Sequence, residues 1–297
     1  MQLLDWREAD QDLLSDIWTC QIDRWQDRLS WDSASNWAAV EAERRSGRLP
    51  GLILLDDSGV HGWTFFLVHH DTLQIGAFES ASSAASRLLL DGALETVSSD
   101  IAPAGALLFA FSAAPGLVPA LVARGFETEP YRYLVRDVSR VFPPSGQMAW
   151  TIDTTVQLPR LLADAYGEPR LTRPFVRHGS DSEWREYCAQ LLASSACGTF
   201  DASLSTSSLA PDGSLDGAIV VTVVSPRTAH IAQVAVAPKA RGRRLASAMM
   251  AEVLAKVAYA GFEQVSLLVS GRNARALRLY ERAGFAERAT FISAGRN

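Results

Sequence analysis

The chain has 297 residues, of which 48% are hydrophobic, and a formal net charge of −5 at pH 7. This length suits two domains of roughly 150 residues each. The acidic balance argues against a nucleic-acid-binding surface, which usually carries a basic stripe. Three widely spaced cysteines predict neither a disulfide framework nor a CxxC metal site. The chain shows no signal peptide and no apolar run near the ~20 residues of a membrane span, so we expect a cytoplasmic protein.

The first half predicts a mixed sheet flanked by helices. In chain order we expect tryptophan-rich helical segments, strand 52–55, a turn at 56–59, strands 62–68 and 73–78, a helix near 81–97, strand 106–111, a helix ending at 124–126 and strand 131–135. The early tryptophans are too irregularly spaced for one helical face, so we expect them to pack in a core; they are Trp6, Trp18, Trp25, Trp31 and Trp37.

The second half repeats this order. We expect helix 181–193, strand 198–204, a turn at 210–217, strands 218–224 and 230–237, helix 245–259, strand 265–269, helix 275–283 and strand 289–293. Each half places Gly-Phe after a helix, at Gly125-Phe126 and Gly284-Phe285, which suggests an internal duplication. The Pro- and Gly-containing residues 142–149 predict a linker between domains 1–141 and 150–297.

A strand, a cationic loop and a helix follow one another at residues 234–246. The strand ends at Pro238, and four of the six residues 239–244 are Lys or Arg. Free N–H groups and the positive end of a helix dipole would then meet at one place, as in pyrophosphate sites. Gly242 permits close approach of the backbone and Ala246 permits tight helix packing.

A second motif reads Asn273-x-x-Ala-x-x-Leu-Tyr280-x-x-x-Gly-Phe. Asn273 and Tyr280 are seven positions apart, so both lie on one helical face two turns apart. Taken singly, Asn273 also fits an N-cap and Tyr280 a packing residue. Together with the cationic loop, they indicate a site for an acyl group carried on a nucleotide.

These two motifs resemble the GNAT superfamily of acyl-CoA-dependent N-acyltransferases. In the family's Arg/Gln-x-x-Gly-x-Gly/Ala pattern, Arg241 and Ala246 fit, whereas Arg244 replaces the middle glycine. The resemblance implies an α/β fold with a mixed sheet, as two tandem GNAT-like domains, with acetyl-CoA as co-substrate and no metal. It also implies that Tyr280 protonates the departing thiolate. The cofactor-binding positions that it implies are Val234, Ala235, Val236, Arg241, Gly242, Arg243, Arg244, Leu245, Ala246, Ser247 and Asn273.

The first half lacks the residues of both motifs at the corresponding positions. Leu121 and Ala114 occupy the positions that correspond to Tyr280 and Asn273, when both halves are counted back from their Gly-Phe pairs. Its strand-to-helix loop 79–85 begins with a carboxylate and contains neither glycine nor a cation, which makes it a poor pyrophosphate site. We therefore expect a degenerate N-terminal copy.

The general base and any metal ligands are less evident. Strand 230–237 has no carboxylate, so His230 is the catalytic candidate, Asp201 is a second, and attack by an already neutral amine stays open. His69-His70-Asp71 is similar to a metal cluster only superficially, because adjacent strand residues point to opposite faces and a turn is favoured.

We therefore expect transfer of an acetyl group to a primary amine by direct attack in a ternary complex. Two alternatives are a non-catalytic acyl-CoA-binding regulatory module and a protein lysine acetyltransferase. We expect the chain to bind a small-molecule amine acceptor and to bind neither nucleic acid nor a membrane. Whether it forms a homodimer is left open.

Overall fold

One continuous mixed sheet runs through the computed structural model, which describes residues 1–98, 103–138, 143–146, 148–193 and 197–297. Its strands are β1 (Gln2–Asp5), β2 (Gly51–Asp56), β3 (Gly59–His69), β4 (Thr72–Ser80), β5 (Gly105–Phe111), β6 (Glu127–Asp137), β7 (Thr199–Phe200), β8 (Thr206–Leu209), β9 (Leu215–Ser225), β10 (Thr228–Val236), β11 (Gln264–Ser270) and β12 (Ala286–Arg296). The α-helices are α1 (Gln11–Leu29), α2 (Ala34–Arg45), α3 (Ser83–Ser98), α4 (Leu117–Val122), α5 (Ile152–Tyr166), α6 (Asp181–Ala193), α7 (Leu245–Tyr259) and α8 (Ala274–Arg282).

The strand order shows that strands are exchanged between the two halves of the chain. It is β1-β2-β3-β4-β5-β12-β6-β11-β10-β9-β7, with β8 also paired to β9. The last strand of the second half, β12, lies between β5 and β6, and β6 in turn pairs with β11. The linker at 142–149, of which residues 142 and 147 lie outside the described residues, stays a prediction; so do domains 1–141 and 150–297. The sequence assigned β12 to the second domain, whereas both neighbours of β12 come from the first half.

The internal duplication extends to backbone detail. The N–H of Phe126 donates to the carbonyl of Leu121 (3.1 Å), and the N–H of Phe285 donates to that of Tyr280 (3.0 Å). The preceding glycines have φ values of 77° and 82°. Each half also contains one parallel strand pair, β4–β5 and β10–β11, among otherwise antiparallel pairs. The predicted mixed α/β architecture of repeated units is confirmed.

Helices cover both faces of each half of the sheet. In the first half, α3 and α4 cover one face, and the other face carries a tryptophan cluster that includes Trp6, Trp18 and Trp37. In the second half, α7 and α8 pack on one face and α5 and α6 on the other. The predicted packing of the early tryptophans in a core is thus confirmed. Among the described residues, no helix combines the length and apolar composition needed to cross a lipid bilayer.

Two elements differ from the sequence-based expectation. The sequence pattern predicted no helix at α5, whose interior contains Pro159, a residue that removes a helical hydrogen bond. Burial of Leu158 and Leu162 against the sheet outweighs that cost. The predicted strand 198–204 is shorter in the structure, where only β7 is extended. The Asp201 carboxylate accepts hydrogen bonds from the N–H groups of Ser203 (2.8 Å) and Leu204 (3.2 Å), and these bonds close a turn that ends the strand.

Candidate functional site

Strands β10 and β11 form a wedge. They pair in parallel only from Thr228–Ile231 to Gln264–Leu267 and then diverge. On the opposite edge of β10, Ile231 pairs with Val221 and Gln233 with Val220, so Ala232 forms a β-bulge. Within the described parts of the chain, the β11-facing edge of residues 232–236 therefore has no strand partner; it includes the predicted Val234, Ala235 and Val236. Backbone groups on that edge can bind an extended ligand.

The loop after β10 presents its backbone to solvent. Residues 241–244 are exposed and lead directly into α7, whose first residue is Leu245. Two positive φ values, 83° at Gly242 and 58° at Arg244, fold this loop. Among the described residues, none accepts a hydrogen bond from the N–H of Gly242, Arg243 or Arg244. These N–H groups and the positive end of α7 therefore form a cradle for an anion.

The four cations of this loop are not equivalent. Lys239 donates to the hydroxyl of Ser214 at 2.6 Å, and its Nζ lies 3.7 Å from the carboxylate of Asp216. Arg241 donates to the carbonyl of Ala165 at 2.9 Å. Arg243 and Arg244 are exposed and have no side-chain partner within the described ranges. Those two side chains are the ones available to a phosphate.

Helix α7 continues the cradle. Ala246 is partly buried and Ser247 is exposed at its first turn, where the N–H of Ser247 donates to the carbonyl of Arg244 at 3.1 Å. Leu245 packs against the core of the second half. These positions combine a solvent-facing backbone with a firmly seated helix, as a phosphate site requires.

Tyr280 lies on α8 beside this wedge. Its side chain is buried, and its ring packs edge-on against Phe285 with centroids 5.9 Å apart. Burial raises the pKa of the Tyr280 phenol, and the nearby Tyr166 raises it further. The phenol is therefore protonated at neutral pH and can donate a proton. Asn273 caps α8, because its Oδ1 accepts from the N–H of Ala276 at 3.0 Å.

A hydrogen-bonded chain of side chains crosses the face of the wedge that α5 and α6 cover. The buried amide of Gln233 accepts from the hydroxyl of Tyr166 and donates to that of Tyr187. The ring of Phe175 stacks on Tyr187 with centroids 4.9 Å apart. Sequence reasoning missed this network, since its members come from three separate elements.

A buried carboxylate lies at the open end of β11. Glu129 on β6 is 2% exposed and accepts hydrogen bonds from the hydroxyls of Thr172 and Ser270. Along β6, Glu129 faces the same way as Tyr131 and Tyr133, because strand side chains alternate. No local motif marked Glu129, since only the strand exchange brings this residue of the first half to the wedge of the second.

His230 lies at the closed end of the wedge. Its Nδ1 is 2.9 Å from the hydroxyl of Ser266, and its ring contacts Trp31 edge-on at a centroid distance of 5.0 Å. Burial lowers the pKa of His230 to about 3. The imidazole is therefore neutral and weakly basic in this environment. The catalytic roles considered for His230 and for Asp201, which closes the turn after β7, stay predictions.

The thiols of Cys188 and Cys197 are protonated at neutral pH. Burial raises the pKa of Cys188 to about 12 and that of Cys197 to about 11. A thiolate is the nucleophilic form of cysteine, so neither residue is prepared for attack at neutral pH.

In the first half, the N-terminal ends of α3 and α4 contact each other. The Ser86 hydroxyl on α3 donates to the carbonyl of Pro115, just before α4, at 2.6 Å. A Cβ on Gly116 would lie 2.4 Å from the Ser83 hydroxyl, so the chain is closely packed there. The carboxylate of Glu79 is paired with Arg24. This half therefore lacks the open cradle of the second half.

The comparison with known proteins agrees with this difference between the two halves of the chain. The sequence model of the Acetyltransferase (GNAT) family matches residues 161–285. The fold is similar to that of a GCN5-related N-acetyltransferase from Sphaerobacter thermophilus, with a TM-score of 0.62, 16% identity, and coverage of 83% of this chain and 80% of that one. A tandem GNAT protein from the clavulanic acid biosynthesis pathway gives a TM-score of 0.53 and 15% identity over 84% of this chain and 82% of that one.

A GNAT-family acetyltransferase from Colwellia psychrerythraea gives a TM-score of 0.52 and 13% identity over the full length of both chains. No curated protein matches the sequence. At these identities the structural likeness describes the fold, and the family match rests on the second half. The chain thus has the fold of GNAT proteins, and its residues 161–285 match the sequence model of the Acetyltransferase (GNAT) family.

Proposed function

We propose that the chain is an N-acetyltransferase that transfers an acetyl group from acetyl-CoA to a primary amine, with one active site in the second half. The observation that carries this proposal is the open wedge between β10 and β11, which leads to the exposed N–H groups of Gly242, Arg243 and Arg244. A pyrophosphate at that loop would let the pantetheine arm run along residues 232–236 toward Tyr280. The close packing of the helix ends in the first half, where Ser86 donates to Pro115, supports a single site.

In the proposed reaction, the amine nitrogen attacks the thioester carbonyl carbon directly. A free backbone N–H of residues 232–236 would bind the oxygen on which negative charge develops. The C–S bond then breaks, and Tyr280 gives its phenolic proton to the departing thiolate sulfur. The raised pKa of Tyr280 supports this role, since the proton is in place at neutral pH.

The proton lost by the attacking amine needs an acceptor. Glu129 is our candidate, because it is a buried carboxylate at the open end of β11 and faces the same side as Tyr131. His230 is a poorer acceptor, because burial lowers its pKa to about 3 and because it lies at the closed end of the wedge. Return of the proton from Glu129 to the Tyr280 phenolate would restore the resting enzyme.

The decisive experiment measures release of free thiol from acetyl-CoA in the presence of a panel of amines, with lysine-containing peptides as a separate arm. We expect turnover with at least one small primary amine. Saturable binding of acetyl-CoA without turnover on any acceptor would instead favour a regulatory acyl-CoA-binding module. Turnover only with peptides would favour a protein lysine acetyltransferase.

A further inference from the structure

Two histidines and a glutamate meet at the junction of the two halves, away from the wedge. The Nε2 atoms of His69 and His70 lie 3.4 Å and 3.3 Å from the two carboxylate oxygens of Glu186. His69 ends β3, His70 begins the turn into β4, and Glu186 lies on α6. These ligand atoms all lie within 4.8 Å of one another. The favoured turn is present at His70 and Asp71, whereas the expectation that the side chains of His69 and His70 would point to opposite faces is wrong.

The backbone of the turn explains this convergence. His70 has a φ of 54°, the left-handed conformation, which interrupts the alternation of side chains along the strand. The two imidazole rings consequently lie on the same side, with centroids 4.2 Å apart. The tight two-residue turn between His69 and Thr72 uses this left-handed conformation at its first residue.

The spacing of these atoms is that of a metal coordination sphere. Zinc binds imidazole nitrogen and carboxylate oxygen at about 2.0–2.2 Å in tetrahedral geometry, which places neighbouring ligand atoms about 3.3–3.6 Å apart. The distances of 3.4 Å and 3.3 Å fall in this range, but they join the two histidines to different oxygens of Glu186. Since the ligand atoms lie within 4.8 Å of one another, the three side chains would move closer together around an ion. We propose that His69, His70 and Glu186 form a binding site for a zinc-like divalent transition metal. Imidazole and carboxylate together suit such ions better than Ca²⁺ or Mg²⁺.

The surroundings favour a site that is open to solvent. All three side chains are partly exposed beside a cleft of about 400 Å³. Asp71 and His178 line the same cleft and pair with each other at 3.0 Å, so either is a candidate for the fourth position. A water molecule is the other candidate for the fourth position.

The proposed metal would join the two halves. His69 and His70 belong to the first half, whereas Glu186 immediately precedes Tyr187, whose hydroxyl accepts from Gln233 at the wedge. A bound ion would replace weak, solvent-screened contacts with coordinate bonds and hold α6 against the β3–β4 turn. The role proposed is therefore structural, and it is independent of whether the wedge binds acetyl-CoA.

The test uses the full chain without a polyhistidine tag, after treatment with a chelator. Calorimetric titration with Zn²⁺ should give one bound ion per chain, and Co²⁺ should give the visible absorption of a tetrahedral complex. Glu186→Gln and the double variant His69→Asn/His70→Asn should each weaken Zn²⁺ binding by at least about tenfold. His61→Asn is the matched control, because His61 pairs with Asp56 on a different turn, and it should bind Zn²⁺ like the original protein.

Circular dichroism of the metal-free variants shows whether each has folded, and only folded variants are compared. Absence of saturable Zn²⁺ binding by the original protein would overturn the proposal. Equal affinity in the original protein and both site variants would overturn it as well, because the ion would then be bound elsewhere.

Discussion

Leu121 and Tyr280 occupy equivalent positions in the two halves, and the carbonyl of each accepts a hydrogen bond from the N–H of the phenylalanine five residues later, at 3.1 Å and 3.0 Å. The two copies thus share this backbone hydrogen bond, although the side chain at the position differs between them. Leu121 is fully buried in an apolar core, whereas Tyr280 contributes a phenol that packs among residues of β10 and β11. This difference is the basis for proposing one active site per chain.

Replacing Tyr280 by Phe should lower the rate of acetyl transfer by about a hundredfold, the lower end of the range for loss of a general acid. The affinity for acetyl-CoA should hardly change, because the ring and its contact with Phe285 are retained. Steady-state kinetics and calorimetry measure the two quantities. Tyr259→Phe, at an exposed position on α7, is the control. An unaltered turnover number in Tyr280→Phe would remove this residue from the mechanism.

The cations without protein partners should contribute to cofactor affinity. Arg243→Gln and Arg244→Gln should each weaken binding of CoA by about 1 kcal/mol, roughly fivefold, as expected for exposed ion pairs. The loss should shrink at high salt, because salt screens such pairs. Arg227→Gln is a suitable control, since Arg227 is exposed and already paired with Glu263. Equal affinities in all three variants at low salt would contradict the proposed phosphate contacts.

The backbone at Gly242 allows a paired test of the cradle. Gly242 and Gly261 have φ values of 83° and 87°, and a Cβ at either position would meet no atom within 4 Å. Alanine at each position should therefore cost a similar ~1 kcal/mol of folding free energy. Only Gly242→Ala should weaken CoA binding, because its methyl group would face the pyrophosphate. If Gly261→Ala weakened binding equally, the effect would come from stability rather than from the site.

Gln233 should contribute both to the stability of the fold and to the KM for the amine acceptor. Gln233→Leu removes the hydrogen-bonding partner of the Tyr166 and Tyr187 hydroxyls, so we expect a loss of about 2 kcal/mol in unfolding free energy. The KM for the amine should rise while acetyl-CoA affinity stays unchanged, since this network lies on the face opposite α7. Denaturant titration and kinetics measure these effects, with Gln26→Leu on the exposed side of α1 as control. A raised Kd for acetyl-CoA would show that the network belongs to the cofactor side.

The enclosed His230 should make the protein sensitive to acid. Burial lowers its pKa from 6.5 to about 3, so between these values the unfolded chain binds a proton that the folded chain does not. This proton uptake does not affect the unfolding free energy above pH 6.5. As the pH decreases from 6.5 toward 3, it lowers the unfolding free energy by at most about 1.4 kcal/mol per pH unit. In His230→Gln, unfolding free energy should fall less steeply between pH 6.5 and 4.5 than in the original protein. Parallel pH profiles for the two proteins would contradict the assignment.

The parts of the site that could be predicted from sequence are those built by one continuous segment. Strand β10, the cationic loop and α7 follow one another, and the caps and glycines that shape them are local signals. The same holds for Asn273, whose capping role follows from its residue type.

The remaining parts depend on distant segments. Glu129 reaches the wedge only because β6 and β12 are exchanged between the halves, and hydrophobic patterning does not specify which strands become neighbours. His69 and His70 converge because of a left-handed residue, for which histidine is not a strong signal. Long-range pairing and unusual backbone conformations are therefore where sequence reasoning failed for this chain.

The central claim, one acetyl-CoA site per chain in the second half, is tested most directly by calorimetric titration of the folded protein with acetyl-CoA. We predict saturable binding of one molecule per chain, and weaker binding in Gly242→Ala. Absence of saturation at millimolar acetyl-CoA, or two equal sites per chain, would contradict the claim.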